Sequence, residues 1–198
     1  LAFSQQIPYF FTPQDDLQAI LPFLPPGSRV YLDEGIYKVN LFLANSHITI
    51  VGAGIDKTIL EAANEDEPVI TLFRGNIKLF NATIKGGAIG IEASYCEILV
   101  RNVRLVDNEI GVLKSGTGDL TIESCTIENN SVGVGIIGGE KFFAKCVQSQ
   151  VLNNKKAGLK LSMEQVFLTI QTCQFIGNKV GISGDASDSR LRIVETDI

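Results

Sequence analysis

Arg101 and Glu123 stand 22 residues apart, and Arg104, Thr126, Gln150 and Gln174 follow one another at intervals of 22, 24 and 24. If the chain winds into rungs of about that length, each set becomes one outward column. An arginine stacked directly beneath a carboxylate has the parts of an elimination base with an acidic neighbour, and in solvent the same two residues make an ordinary cross-strand ion pair. The Thr/Gln column offers hydroxyls and amides for sugar hydroxyls or a protein strand, or it is a wetted face. Arg101, Arg104, Glu123, Thr126, Gln150 and Gln174 are therefore candidate ligand-binding residues, with no catalytic role assigned to any of them.

These columns exist only if the backbone repeats, and the sequence says that it does. "NVRLVDNEIGV" at 102–112 is echoed by "SCTIENNSVGV" at 124–134, "QSQVLNNKKAGL" at 148–159 and "TCQFIGNKVGI" at 172–182. Gly90, Gly111, Gly133, Gly158 and Gly181 are spaced by 21, 22, 25 and 23 residues, the period of a solenoid. Aligned on Asn108, Asn130, Asn154 and Asn178, with Gly87 in the earlier slot, the apolar residues fall into six columns headed by Ile77, Leu79, Ala82, Ile84, Ile89 and Ile91. The Ile89 column continues through Ile110, Val132, Ala157 and Val180. Three alternating pairs per repeat predict three short strands joined by turns, all six residues facing inward. Such a coil buries its apolar side only when another stacks above and below at about 4.8 Å. The asparagine column is expected to hydrogen-bond the next copy and the turn backbone, which would otherwise be buried unpaired.

Composition limits the function. Hydrophobic residues are 45%, charged residues 20%, and 19 glycines signal many tight turns, which fits one globular domain. With 17 Lys+Arg against 22 Asp+Glu the net charge is −5, and no basic run is present, so nucleic acid is not an expected partner. No apolar stretch reaches the roughly 20 residues of a membrane span. The single histidine, His47, and the lack of CxxC among Cys96, Cys125, Cys146 and Cys173 argue against zinc. "GDASDS", with Asp185 and Asp188, lacks the spaced ligands of a calcium loop, and no cofactor is expected. Cys125 and Cys173 share a column two coils apart, about 9.6 Å by strand spacing and beyond disulfide reach. The four cysteines read as free thiols acting as small hydrophobes, which slightly favours an intracellular setting; if Leu1–Ser4 is the tail of a signal peptide, the protein is secreted.

The repeats also fit the leucine-rich template, but leucine does not dominate, and the second half of each repeat, such as "IGVLKSGTGDL", alternates and turns on glycine where that fold needs a helix. The opening decides between the two. "PQDDLQAILPFLPPGSRVYLDEGIYKVNLFLANSHITIVGAGIDKTIL" (13–60) resembles the start of pectinesterases and related right-handed parallel β-helix proteins of the pectin-lyase-like group. Its Pro-Gly turn, "RVYL" strand, "GIY" turn and "ITIVGAG" strand follow the order of that group. The later repeats resemble the β-helix repeats of carbohydrate-binding and sugar-hydrolase domains. The resemblance implies an all-β, right-handed, three-sided parallel β-helix of coils of about 22 residues, capped at its N-terminal end by a short helix. That helix is placed at Gln14–Leu24, with Leu17, Ile20, Leu21 and Leu24 on its inner side. The whole of 1–198 reads as one domain, with 1–29 the N-terminal segment and cap and 30–198 the coils.

The same resemblance leaves function open, because the Gln-Asp-Thr-Leu, Val-Asp-Phe-Ile-Phe-Gly and Leu-Gly-Arg-Pro-Trp motifs of pectinesterases and the Asp-Pro-His-Asp motif of alginate epimerases have no counterpart here. Two expectations follow. The first is a non-catalytic scaffold that presents a long face to a protein partner, as some adaptor and F-box proteins with such repeats do. The alternative is a polysaccharide-binding or polysaccharide-processing protein of the lyase or epimerase class. "LRIVETDI" puts Leu191, Ile193, Thr196 and Ile198 in the core columns and stops part-way round a coil, so an end-to-end contact there is a further expectation.

Overall fold

The computed structural model describes residues 8–138, 141–163, 165–186 and 189–198. Leu1–Ser4 and Asp188 lie outside the described residues. Every named strand pairing is parallel, each strand bonding to the one a coil earlier and a coil later, in a single wound sheet. The ladder runs Leu41–Gly52, Ile70–Lys85, Ile89–Val106, after which each coil divides into shorter strands such as Ile110–Ser115, Leu120–Glu123 and Thr126–Glu128. No described helix is long and apolar enough to cross a membrane.

The chain turns its corners without breaking the ladder by placing one residue in the left-handed region. Asn45, Arg74 and Tyr95 stack at one corner with φ of 53°, 58° and 52°. Asn81, Asn102, Ser124, Gln148, Thr172 and Glu195 stack at the next with φ of 57°, 52°, 52°, 49°, 54° and 47°. Asp107, Asn129 and Asn153 make the third with φ of 56°, 57° and 53°. Left-handed backbone is costly outside glycine, so a column of such residues persists only because the strands on both sides fix it. The corners are three, as the alternating pairs require, but they do not fall on the repeating glycines.

Those glycines are in the interior. Their neighbours pair across coils, Val132 with Ile110 and Val134 with Val112, while the glycine between them is passed over. A Cβ on Gly133 would lie 2.5 Å from the Gly158 carbonyl oxygen and 2.9 Å from Val151 Cγ1, and Gly111 meets Gly133 and Ile127 in the same way. The close approach of one coil's backbone to the next demands glycine here. Replacing Gly133 by alanine is expected to cost more than about 1 kcal/mol, read as a lower urea midpoint, because the obstacle is backbone that has no rotamer to change.

This packing corrects the expected interior. The Ile89 column faces inward only in part: Val132 and Ala157 are buried as expected, but Ile89 and Ile110 are half-buried and Val180 is 42% exposed, with a glycine beside each packed against the next coil. A different column fills the core after it: Leu43, Leu72, Ala93, Lys114, Ile136 and Leu161, all buried and paired in register. The other five columns lie as expected, with Ile98 between Ile77 and Leu120, and Ile127 between Leu105 and Val151. At roughly 1.5–3 kcal/mol per buried aliphatic side chain, these columns are the main favourable contribution to the fold.

The asparagines form the expected ladder. Each backbone N–H donates to the side-chain oxygen one coil on: Asn108 to Asn130 at 3.0 Å, Asn130 to Asn154 at 3.1 Å, Asn154 to Asn178 at 3.0 Å. Each Nδ2 also donates to a carbonyl one coil back, such as Asn130 to Leu105 at 3.2 Å. Gly87 closes the series, its N–H donating to Asn108 Oδ1 at 3.1 Å.

The N-terminal cap is shorter than the helix read from the sequence. Leu17–Ile20 is α-helical, Leu21–Phe23 is a 3-10 turn, and Pro22 and Pro25 prevent a longer helix. Asp16 caps it by accepting the Ala19 N–H at 3.1 Å, and Leu17 and Leu21 close the end of the core. The segment before the cap is part of the stack, since Tyr9–Phe11 pairs with Arg29–Leu32. Buried Tyr37 ties that strand down by donating its hydroxyl to the Phe11 carbonyl at 2.8 Å. At the other end, Leu191 and Ile193 keep the expected register against Leu168 and Ile170, and both are exposed.

Candidate functional site

The second corner carries the sequence candidates. Beyond it, Thr126, Gln150 and Gln174 lie in one register, with Arg104 before them and Asp197 bridged to Gln174 after them. They point outward because Ile127, Val151 and Phe175, the next residues, point inward. The left-handed residues Ser124, Gln148, Thr172 and Glu195 form the opposite rim, and Cys125, Ser149 and Cys173 form the floor of an open groove of about 490 Å³. Gln150 Nε2 donates to Gln174 Oε1 at 2.9 Å, so the amides form a short outer ladder with one set of donors and acceptors left facing the groove.

The two arginines stand apart from that groove. Arg104 is held by Glu128, its Nε 2.7 Å from Oε1. Arg101 lies beneath Glu123 as the register requires, with NH2 2.8 Å and Nε 3.0 Å from the same carboxylate oxygen. Both side chains of that pair are substantially exposed, and such a pair contributes at most about 1 kcal/mol. The structure thus gathers Thr126, Gln150 and Gln174 at one groove, and places Arg101 and Glu123 on the strip before the corner.

That strip holds residues the sequence reading passed over. Phe143, Phe167 and Arg190 are in register, as are Lys145, Thr169 and Arg192. The Phe143 and Phe167 ring centroids are 5.3 Å apart, and Phe143 is 56% exposed. Lys141 Nζ lies 4.9 Å and the Arg190 guanidinium 5.7 Å from the Phe167 ring centre. Two aromatics in register with their rings tilted 32° to each other, two cations against the Phe167 ring and two more on the next outward row form a platform on an otherwise acidic chain. The signal was present in the outward positions of "KFFAKC" and "RLRI", but the members are about 24 residues apart, so no local run reveals them.

The groove floor contains titratable groups. The Cys146 and Cys173 sulfurs are 3.6 Å apart, on consecutive coils. Cys173 is lowered to about 7, chiefly by its hydrogen bond with Cys146, and Cys146 is raised well above the ordinary thiol range by the same bond and by burial. Burial raises Cys125 to about 11. All four cysteines are free, as expected, and Cys125 and Cys173 are not bonded. Among the described residues no group of three His, Cys, Asp or Glu side chains is placed to hold a metal ion.

A sequence profile of the right-handed β-helix region matches residues 40–198, four-fifths of the chain. The chain belongs to the right-handed β-helix family. That membership fixes the handedness of the coils described above. No curated protein sequence matches this β-helix. Among solved structures, a pectin methylesterase in complex with a hexasaccharide superposes with a TM-score of 0.49 at 11% identity, over 81% of this chain and 60% of the enzyme. The β-helix therefore spans 60% of that enzyme's length. An alginate lyase from Paenibacillus sp. str. FPU-7 superposes with a TM-score of 0.50 at 13% identity, covering 94% of this chain and 97% of the lyase. At 13% identity the likeness to the lyase is one of fold alone, a β-helix.

Proposed function

We propose that this β-helix binds an acidic polysaccharide along its side, with the Phe143/Phe167 platform and the polar corner groove as adjoining parts of one surface. The observation that carries the reading is the platform: exposed Phe143 and half-buried Phe167 in register, flanked by Lys141, Lys145, Arg190 and Arg192, in a chain of net charge −5. Sugar rings stack on aromatic faces, and the cations suit carboxylates spaced along a polyuronate. Round the corner, Thr126, Gln150 and Gln174 offer hydroxyl and amide groups one coil apart to ring hydroxyls. The alginate lyase's resemblance in fold agrees with a carbohydrate ligand but does not assign one.

Affinity electrophoresis in gels containing polygalacturonate or alginate, beside a neutral glucan, tests this. Retardation is expected only in the acidic gels and should weaken with salt. The double variant Phe143→Ala/Phe167→Ala is expected to weaken binding about tenfold, and Gln150→Ala/Gln174→Ala severalfold. Equal retardation by the neutral glucan, or none by any polysaccharide, overturns the proposal; in the second case the partner is to be sought among proteins, as the scaffold reading has it.

A further inference from the structure

We propose that Cys146 and Cys173 form a reversible oxidation site, closing under peroxide into a disulfide that staples one coil to the next. Cys146 lies in the strand Phe142–Val147 and Cys173 just past the corner of the following coil, so they occupy different columns. The same-column argument that separates Cys125 from Cys173 does not apply to this diagonal, and the two sulfurs are 3.6 Å apart. A disulfide needs about 2.05 Å. An internal void of about 20 Å³ borders Cys146, so the core around that side chain is not filled to the limit. Cys173 Sγ also donates to the Gln171 carbonyl at 3.3 Å, as Cys125 Sγ does to the Glu123 carbonyl at 3.2 Å, and Cys96 Sγ approaches the Leu72 carbonyl at 3.9 Å.

The roles of the two sulfurs follow from their positions. Cys173 lines the groove floor and Cys146 borders the core void; both thiols are buried, at 1% and 7% exposure, so a small oxidant reaches the pair through local opening of the floor. The lowered Cys173 is the thiolate of the pair near neutral pH, with the Cys146 proton shared towards it. The Cys173 sulfur attacks one oxygen of hydrogen peroxide, the O–O bond breaks, hydroxide leaves, and a sulfenic acid remains. The Cys146 sulfur then attacks that sulfur; the S–S bond forms, the S–O bond breaks, and the departing hydroxyl takes the Cys146 proton as water. In total two thiols are oxidised and one peroxide is reduced to two waters. A thiol reductant reverses the bridge by exchange.

The experiment is to expose the folded, full-length chain to hydrogen peroxide, block free thiols under denaturing conditions and map peptides by mass spectrometry. Two of the four thiols should be lost in one intramolecular Cys146–Cys173 link that dithiothreitol reverses. The thermal midpoint should rise by on the order of 5 °C, since the bridge closes a loop of one coil in the unfolded chain. Cys96→Ser and Cys125→Ser should still form the link, and Cys146→Ser or Cys173→Ser should keep all three remaining thiols out of any intramolecular bridge. Four intact thiols after treatment, or a bridge that involves Cys96 or Cys125, overturns the proposal.

Discussion

Asn130→Ala is expected to lose about 2–5 kcal/mol of stability, as much as truncating a core aliphatic, read as a fall in the urea midpoint with an unchanged slope. Asn130 is fully buried and sits in the middle of the ladder, accepting from the Asn108 N–H and donating to the Leu105 carbonyl and Asn154 Oδ1. Alanine leaves the Asn108 N–H and the Leu105 carbonyl without that partner inside the stack, and each such group costs about 1–3 kcal/mol. Asn130→Asp, nearly isosteric, should be no better. It keeps an acceptor for Asn108, but it loses the donor to Leu105 and sets a buried carboxylate against Asn154 Oδ1. Asn178, half-buried, should lose about half as much on the same change. If Asn130→Ala and Asn178→Ala cost the same small amount, the ladder is decoration and the apolar columns hold the corner by themselves.

What could be read from the sequence follows from which interactions repeat at one spacing. Asn108, Asn130 and Asn154 recur because each coil needs the same hydrogen bonds at the same corner, and Ile77, Ile98 and Leu120 recur because each needs the same apolar filling. Arg101 beneath Glu123 is legible for the same reason. The interior glycines were legible as a period but not as a cause. Their requirement comes from a carbonyl on the adjacent coil, which no alternation pattern describes. The corners were hidden because Ser124, Gln148, Thr172 and Glu195 are ordinary residues forced into left-handed backbone by what they connect. The Phe143–Phe167 platform and the Cys146–Cys173 contact are products of stacking: one joins equal positions on successive coils, the other unequal ones, and the diagonal has no signature in a column alignment.

The division of labour between the two parts of the proposed binding surface has the same origin. A flat strip of a β-helix presents every second residue at strand spacing, so Phe143 and Phe167 can stack only because both lie on the outward phase. The corner presents consecutive residues on either side of a bend, which opens a groove and brings amides into line. An extended polysaccharide lying along the stack would meet aromatic faces and cations on one side, and amides and hydroxyls beside the carboxylates of Glu195 and Asp197 on the other. Removing uncharged groups leaves the charge of the surface as it was: in Gln150→Ala/Gln174→Ala the salt slope should match the wild type, and in Lys145→Ala/Arg192→Ala it should be shallower.

Lys114→Met is expected to stabilise the protein by about 2 kcal/mol at pH 7, and to confer no advantage above about pH 10.5. Lys114 occupies a core column between Ala93 and Ile136 with 0% exposure, so its stem fills space as an aliphatic residue would. Its ammonium group turns back to donate to the carbonyls of Ser115 at 2.8 Å, Thr117 at 2.9 Å and Gly116 at 3.2 Å, and lies 4.8 Å from the centre of the Phe142 ring. These contacts do not compensate fully for lost water: burial lowers the amine to about 8 from 10.5, against the smaller opposing effects of Cys96 and Asp119. Between those two values the unfolded chain holds a proton that the folded chain has released, so stability contributed by this residue rises with pH across the window. Below about 8 the cost is felt in full. Methionine keeps the stem volume and removes the charge, and its gain is net of the buried Gly116 carbonyl that loses the lysine donor. Cys125, raised to about 11, Cys96, raised by burial, and Tyr37, raised to about 12, push stability the other way as pH climbs, but they are present in both proteins and largely cancel in the difference. The measurement is therefore the difference in urea midpoint between Lys114→Met and wild type from pH 7 to 10.5. It should shrink steadily above pH 8. A difference that is constant with pH, or a variant less stable at pH 7, would mean that the three carbonyls and the ring compensate the buried charge in full, and that the lysine belongs to the core as a stabilising group.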